Sequence, residues 1–139
     1  IPHPIYDNYG ELIPKAVARQ QLKLDPNKRY ILFFGFIRQY KGLDLLLEAM
    51  ADERLKALDV HAIVAGEFYE DATPYQELLA RLHLGDRVLM HTDFIPNEAV
   101  KNYFCSADLV VQPYKSATQS GISQIAYHFE KPMVVTNVG

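Results

Sequence analysis

The sequence predicts an α/β fold built as a three-layer, doubly wound parallel sheet. Three observations carry that expectation. Five short runs of apolar, β-branched and aromatic residues, beginning with Tyr30 to Phe34 and ending with Met133 to Thr136, read as strands covered on both faces. Between them, apolar residues recur at i, i+3, i+4 and i+7, the spacing that gathers side chains on one helical stripe. Strands and helices alternate along the 139 residues without a repeat or a low-complexity tract, and such alternation puts helices on both faces of a parallel sheet.

Taken in order, Ile1 to Glu11 holds prolines, a glycine and aromatics without a period, so residues 1–13 read as an irregular lead-in to a single domain. Lys15 to Leu22 reads as a short helix with Pro14 at its start. Asp25, Pro26 and Asn27 turn the chain into the first strand, Tyr30 to Phe34, which stops at Gly35. Leu43, Leu46, Leu47 and Met50 then form a helical stripe, and Asp52 to Leu58 continues or restarts helically. Val60 to Ala65 is the second strand, ending at Gly66. Thr73, Pro74 and Gln76 resemble an N-cap, a first-position proline and a capping-box partner for a helix carrying Tyr75, Leu78, Leu79 and Leu82. Arg87 to His91 is the third strand, followed by the loop from Thr92 to Ile95. Val100, Tyr103, Phe104 and Ala107 mark the next helix, after which Asp108 introduces the strand Leu109 to Gln112, closed by Pro113. The small polar loop from Ser116 to Gly121 leads into a helix with Ile122, Ile125, Ala126 and Phe129 on one face, and Met133 to Thr136 is the last strand.

With 49% of its residues apolar, the chain is long enough for one domain with a real core. A net charge of −3 without basic tracts argues against nucleic acid as a partner. No apolar run of membrane-spanning length and no charged-then-apolar leader is visible. The single cysteine, Cys105, cannot form an internal disulfide, suits a reducing compartment and reads as a buried structural thiol behind Phe104.

A strand order of 3-2-1-4-5 is expected, because it brings together the two loops richest in ligand-binding residue types. In that order the sheet reverses between the first and fourth strands, and ligands bind in the crevice beyond their carboxyl ends. The loop from Phe36 to Lys41 follows Gly35, which permits a sharp exit and close approach of backbone to ligand, and it carries Arg38 and Lys41. The loop from Tyr114 to Gly121 supplies small residues, hydroxyls and a helix N-terminus. Free N–H groups beside two cations suit an anion, and phosphate is the commonest candidate. Neither a Walker A loop nor a G-x-G-x-x-G fingerprint is present, so the residues alone leave the anion open, with solvated surface cations as the plain alternative.

Gly35, Arg38, Lys41 and Gly42 ahead of the leucine-rich LDLLLEAM, Ile63-Val64-Ala65-Gly66-Glu67, the loop around Phe94 and Ile95, Ala107 to Val111 before Pro113, and Lys131 to Val135 stand in an order that covers almost the whole chain. This order and spacing resemble the donor-nucleotide domain of retaining GT-B glycosyltransferases of the group 1 type. The resemblance implies a Rossmann-like half of a GT-B fold and a hexosyltransferase-like enzyme. Its partners would be a nucleoside diphosphate sugar as donor and a glycan or lipid-linked acceptor, with anomeric configuration retained. It implies cell-envelope polysaccharide biosynthesis in the cytoplasm at the inner face of the membrane, with the full-length enzyme peripheral to that membrane. By the same resemblance, Gly35 and Phe36 bring backbone against the diphosphate, and Arg38 and Lys41 are the catalytic cations that clamp its oxygens, so that no metal or other cofactor is required. Phe94 and Ile95 border the nucleobase. Tyr114 opens the loop in which Thr118 and Gln119 lie near the donor sugar, and Ser120, Gly121 and Ile122 offer backbone N–H groups.

The chain departs from that pattern in one respect. Many members carry a pair of glutamates in the last loop and helix, one for the donor sugar and one for the ribose. Counting back from Pro132 places those positions at Ala117 and Ile125, neither of them acidic, which leaves Gln119 or Gln124 to take over a hydroxyl contact. The family also has an acceptor domain ahead of Ile1 and closing helices after Gly139. The chain is therefore expected to be a piece of a larger enzyme, inactive alone, with an exposed apolar patch near Met133 to Val138 and a tendency to self-associate. Two other readings stay open: a flavodoxin-like or receiver-like module of order 2-1-3-4-5, and a degenerate transferase domain kept as a scaffold. His3, His61, His83, His91 and His128 lack the spacing of a metal or catalytic site, with His83 and His128 expected on helices. Asp7, Glu67 and Glu70 read as solvated or capping groups, although Glu67 stands at a strand's carboxyl end.

Overall fold

The computed structural model describes residues 9–116 and 121–136. The elements run α1 (Lys15–Gln21), β1 (Arg29–Phe34), α2 (Leu43–Met50), α3 (Glu53–Ala57), β2 (Val60–Ala65), α4 (Thr73–Arg81), β3 (Val88–His91), α5 (Asn97–Ser106), β4 (Leu109–Gln112), α6 (Gly121–His128) and β5 (Met133–Val135). The five strands pair in parallel in the order β3-β2-β1-β4-β5. This is the order the sequence predicts, and it differs from the 2-1-3-4-5 of a flavodoxin-like or receiver-like sheet.

Period-two alternation sends successive side chains of β1 and β2 to opposite faces, which explains why both faces must be covered. Tyr30, Leu32, Ile63 and Ala65 join Ala18 of α1, Phe104 of α5 and Ala126 of α6 in one core layer, with Phe129 beyond α6. Phe33, Ala62 and Val64 join Leu43, Leu47 and Met50 of α2 and Tyr75 of α4 in the other. The predicted stripe of α2 is buried in full. Each such apolar side chain removed from water contributes roughly 1.5–3 kcal/mol, so the paired central strands and their helices form the rigid part of the fold. Cys105 is buried within the first layer, as expected of a structural thiol.

Three local expectations are corrected. Thr73 does not cap α4 but is its first residue; the Asp71 carboxylate accepts from the Thr73 N–H at 3.0 Å and from its hydroxyl at 2.8 Å, because an Asx turn satisfies that free donor before a capping box can form. Arg87 lies in a short 3₁₀ turn ahead of β3, its guanidinium donating to the carbonyls of Met50 at 2.6 Å and Val60 at 3.1 Å. His83 follows α4 in the left-handed region, φ 53°, rather than within the helix.

The amino end of the sheet is closed by a charge network. Arg19 is buried and donates to the carbonyls of Ser106, Pro26 and Lys28, each at 2.9 Å, and to the Asp108 carboxylate at 3.1 Å. Asp108 also pairs with Lys15 and accepts from the Tyr30 N–H at 2.9 Å. Burial alone would raise the Asp108 pKa, but the Lys15 and Tyr30 hydrogen bonds and the two cations outweigh it and hold the carboxyl below its ordinary range. These groups are fully occupied in joining α1, β1 and β4.

At the carboxyl end, Gly42 precedes α2 in the left-handed region with φ 75°, and a Cβ there would stand 1.8 Å from the Pro113 carbonyl oxygen. The turn after β1 is thereby pressed onto the end of β4.

Candidate anion-binding crevice

Where β1 and β4 end side by side, the loops of the sheet's carboxyl edge enclose a crevice of about 380 Å³. Its floor is the turn after β1. Gly35 donates its N–H to the Ala65 carbonyl at 2.9 Å, Ile37 to that of Glu67 at 2.9 Å, and Tyr69 back to that of Ile37 at 3.1 Å. Strand pairing thus continues past the glycines and fixes the turn. On the far side the Lys115 N–H donates to the Tyr40 carbonyl at 2.6 Å and the Lys115 ammonium pairs with Asp44 at 2.8 Å, tying the turn to the loop after β4. That loop is anchored in turn by Thr136, whose hydroxyl donates to the Tyr114 carbonyl at 2.6 Å, and by Gln112, which accepts from the Ser123 hydroxyl at 3.2 Å.

Among the described residues, Lys41 is the cation that lines the crevice. A Cβ built on Gly35 would lie 3.3 Å from its Nζ and 3.4 Å from Ile122 Cδ1, so ammonium, bare backbone and the start of α6 converge on one point. Burial, with the Arg38 charge added to it, pushes the Lys41 pKa below the ordinary lysine value. An anion arriving here relieves both effects. Arg38, by contrast, is exposed and does not line the crevice; its guanidinium sits 4.1 Å from the centre of the Tyr69 ring, which packs at 4.6 Å on Phe36. The two expected clamp residues are therefore divided, one within the crevice and one stacked at its rim.

Gly35, Phe36, Phe94, Ile95, Tyr114, Gly121 and Ile122 all line the crevice, with Phe94 72% exposed at the mouth. Gly121 is the first residue of the eight-residue α6, whose N-terminal N–H groups favour an anion. Ile125, where the resemblance puts a glutamate, is buried and forms an apolar wall. Ala117, Thr118, Gln119 and Ser120 lie outside the described residues. The crevice also contains Tyr9, Tyr40 and Asn97, which the sequence reading does not single out, and Glu67, which it reads as a solvated or capping group. Only Glu67 has a sequence signal for it, its place directly after the glycine that ends β2.

Larger depressions lie elsewhere, and two of them exceed the crevice well in volume. One of about 740 Å³ between α2 and α4 presents Asp44, Glu48, Glu70, Asp71 and Glu77 against Arg81 and Lys115, a surface in which carboxylates outnumber cations and disfavour an anion. The other, about 1070 Å³, is lined by residues of α6 and the turn that follows it, from Ser123 to Pro132, and lacks the strand-end backbone. Chemistry, not size, selects the crevice. Among the described residues no group of three or more His, Cys, Asp or Glu side chains is placed to hold a metal ion, and no helix is long and apolar enough to cross a membrane.

Comparison with known proteins gives the family and the fold. Residues 28–139 match the family described as glycosyl transferases group 1. The chain is 34% identical over 128 residues to a D-inositol 3-phosphate glycosyltransferase of Segniliparus rotundus, covering 90% of this chain and 28% of that protein. It is 30% identical over 132 residues to the lipopolysaccharide core biosynthesis mannosyltransferase LpsB of Rhizobium meliloti, covering 90% of this chain and 36% of that one. The chain thus spans about a third of the length of these relatives. Among solved structures, the C-terminal domain of a group 1 family glycosyl transferase from Francisella tularensis superimposes with a TM-score of 0.78 at 20% identity, over 96% of this chain and 70% of that one. Anabaena HepE, solved in complex with UDP and glucose, does so with a TM-score of 0.78 at 21% identity, over 96% of this chain and 36% of that one. At these identities the structural likeness concerns the fold.

Proposed function

The chain belongs to the glycosyl transferases group 1 family, and on that premise we propose that it is the donor-nucleotide-binding half of a glycosyltransferase, which takes a sugar from a nucleoside diphosphate sugar and passes it to a glycan or lipid-linked acceptor. The observation that carries this reading is the crevice, in which the Lys41 ammonium, the Gly35 backbone and the start of α6 at Gly121 face one volume at the switch point of the sheet.

In this proposal the diphosphate lies against Gly35 and the N-terminus of α6. Lys41 bonds its oxygens and offsets the negative charge that grows on the departing nucleotide. Arg38 swings in from the rim or acts from there through its charge. With two cations and a helix terminus supplying positive potential, no divalent metal is needed. Phe94 and Ile95 offer the flat apolar surface for a base. Thr118, Gln119 and Ser120 are assigned to the sugar and phosphates on the resemblance alone, as is retention of anomeric configuration. The acceptor would be held by the remainder of a protein the length of the relatives, so residues 1–139 alone are expected to bind donor without transferring it. A role in cell-envelope glycan synthesis is supported by the lipopolysaccharide core biosynthesis for which LpsB is named, and a place at the cytoplasmic membrane face rests on the resemblance alone.

A thermal-shift panel of UDP, GDP and ADP with their sugar conjugates tests the reading. A ligand at a hundred times its Kd stabilises by about 2.7 kcal/mol, which raises Tm by several degrees in a chain of this size. No shift with any diphosphate would contradict donor binding.

A further inference from the structure

The sheet order sets out the chemistry of the crevice as a sequence of zones. Moving along the carboxyl edge from β3 to β2 to β1, one meets Phe94 and Ile95, then Glu67, then Gly35 with Lys41. The first zone is apolar with an exposed aromatic ring, the last is cationic, and a carboxylate stands between them. Glu67 is the one carboxylate among the described residues that line the crevice, and no hydrogen bond or ion pair engages its side chain among those residues. It is half-buried, and its backbone is held by the Ile37 N–H at 2.9 Å in the continued pairing of the β1 and β2 ends, so its place is set by the rigid part of the fold.

A carboxylate placed between an anion site and an aromatic surface would repel a diphosphate unless something on the ligand donates to it. The segment of a nucleoside diphosphate that joins base to phosphate is the ribose, whose hydroxyls are donors, and an acidic side chain accepting from ribose hydroxyls is a recurrent device in nucleotide sites. Ile125, the position the resemblance gives to a ribose-binding glutamate, is apolar and 3% exposed and cannot accept from a hydroxyl. We infer that Glu67 is the ribose-recognising residue of this crevice, accepting hydrogen bonds from the 2′- and 3′-hydroxyls of the nucleoside diphosphate, and so selects ribonucleotide donors. This rests on the donor-binding reading above and assigns one residue of that site.

The test is calorimetry of the parent chain and of Glu67→Gln with UDP, GDP and ADP, each compared with its 2′,3′-dideoxy counterpart. Charge-assisted hydrogen bonds of ordinary strength predict that the parent favours the ribonucleotide by about ten- to a hundredfold. Glu67→Gln should bind the ribonucleotide about tenfold more weakly and discriminate by less than about threefold. Equal affinity of the parent for both ligands overturns the inference without needing any variant and leaves donor binding standing. Tighter binding of UDP, GDP or ADP by Glu67→Gln also overturns it, since that is the effect of removing a carboxylate that only repels phosphate. If none of the three ribonucleotides binds the parent, the donor-binding reading fails and this inference with it.

Discussion

Replacing Lys41 by Met separates what this residue does for the ligand from what it does for the fold. Methionine keeps the length and apolar bulk of the stem and removes the charge. A charge-assisted hydrogen bond to phosphate contributes roughly 1.5–3 kcal/mol, or about 10- to 150-fold in affinity. The ammonium stands between Gly35 and the start of α6 and is already partly stripped of water, so the loss belongs in the upper part of that range. Stability should move the other way. Burial and the Arg38 charge lower the Lys41 pKa, so the folded chain holds this proton less tightly than the unfolded chain, and charged Lys41 costs stability at neutral pH. That cost fades as pH rises through the lowered pKa towards the ordinary value of about 10.4, while affinity for a diphosphate falls over the same interval. Lys41→Met is therefore expected to keep or raise Tm while binding the preferred diphosphate about 50- to 150-fold more weakly by calorimetry. Arg38→Ala, from an exposed and screened position, should cost about tenfold or less and lose its effect at high salt. A Lys41→Met protein that binds within about threefold of the parent, or that loses Tm and affinity together, would refute the reasoning.

Three further substitutions probe the packing. Gly42→Ala sets a Cβ 1.8 Å from the Pro113 carbonyl oxygen at φ 75°, and urea denaturation should show a loss of about 3 kcal/mol or more. Asp108→Asn leaves the buried Arg19 with one carboxylate fewer and should cost about 3 kcal/mol at neutral pH. Because the Asp108 pKa is held below its unfolded value of about 3.9, its contribution is complete above that pH and is lost as pH falls through the folded value; Asp108→Asn should flatten that acid limb of the stability profile. On the edge strand β5, Val134 and Val135 are 55% and 59% exposed, and Val135→Lys should reduce concentration-dependent self-association measured by sedimentation.

The stretch from Tyr30 to Met50 is legible in the sequence because each local signal there has a single structural reading. A doubly covered strand, a glycine exit and a four-residue stripe admit little else, and the two-loop switch point follows once the strands alternate with helices. Asp71 is not legible as the partner of Thr73, since an Asx turn and a capping box compete for the same N–H groups with residues two positions apart. The place of Arg38 is also hidden, because a long exposed side chain goes where a ring is available, and Tyr69 reaches it only through the pairing of Ile37 with Phe68 beyond β1 and β2. Tyr9 belongs to a segment without a period, and only the packed core shows that it reaches the crevice. Glu67 carries its signal openly, after a glycine at a strand's carboxyl end, but a carboxylate near a phosphate site invites the solvated reading until the sheet order shows what lies on either side.

The most direct test of the central claim is a titration of the isotope-labelled chain with UDP, GDP and ADP in the presence of a metal chelator, followed by amide NMR. Binding at the crevice predicts saturable shifts concentrated at Gly35, Lys41, Glu67, Gly121 and Ile122, undiminished by the chelator and weakened by salt. Shifts that vanish with the chelator, or that gather instead on the acidic face between α2 and α4 around Asp44 and Glu77, would contradict it.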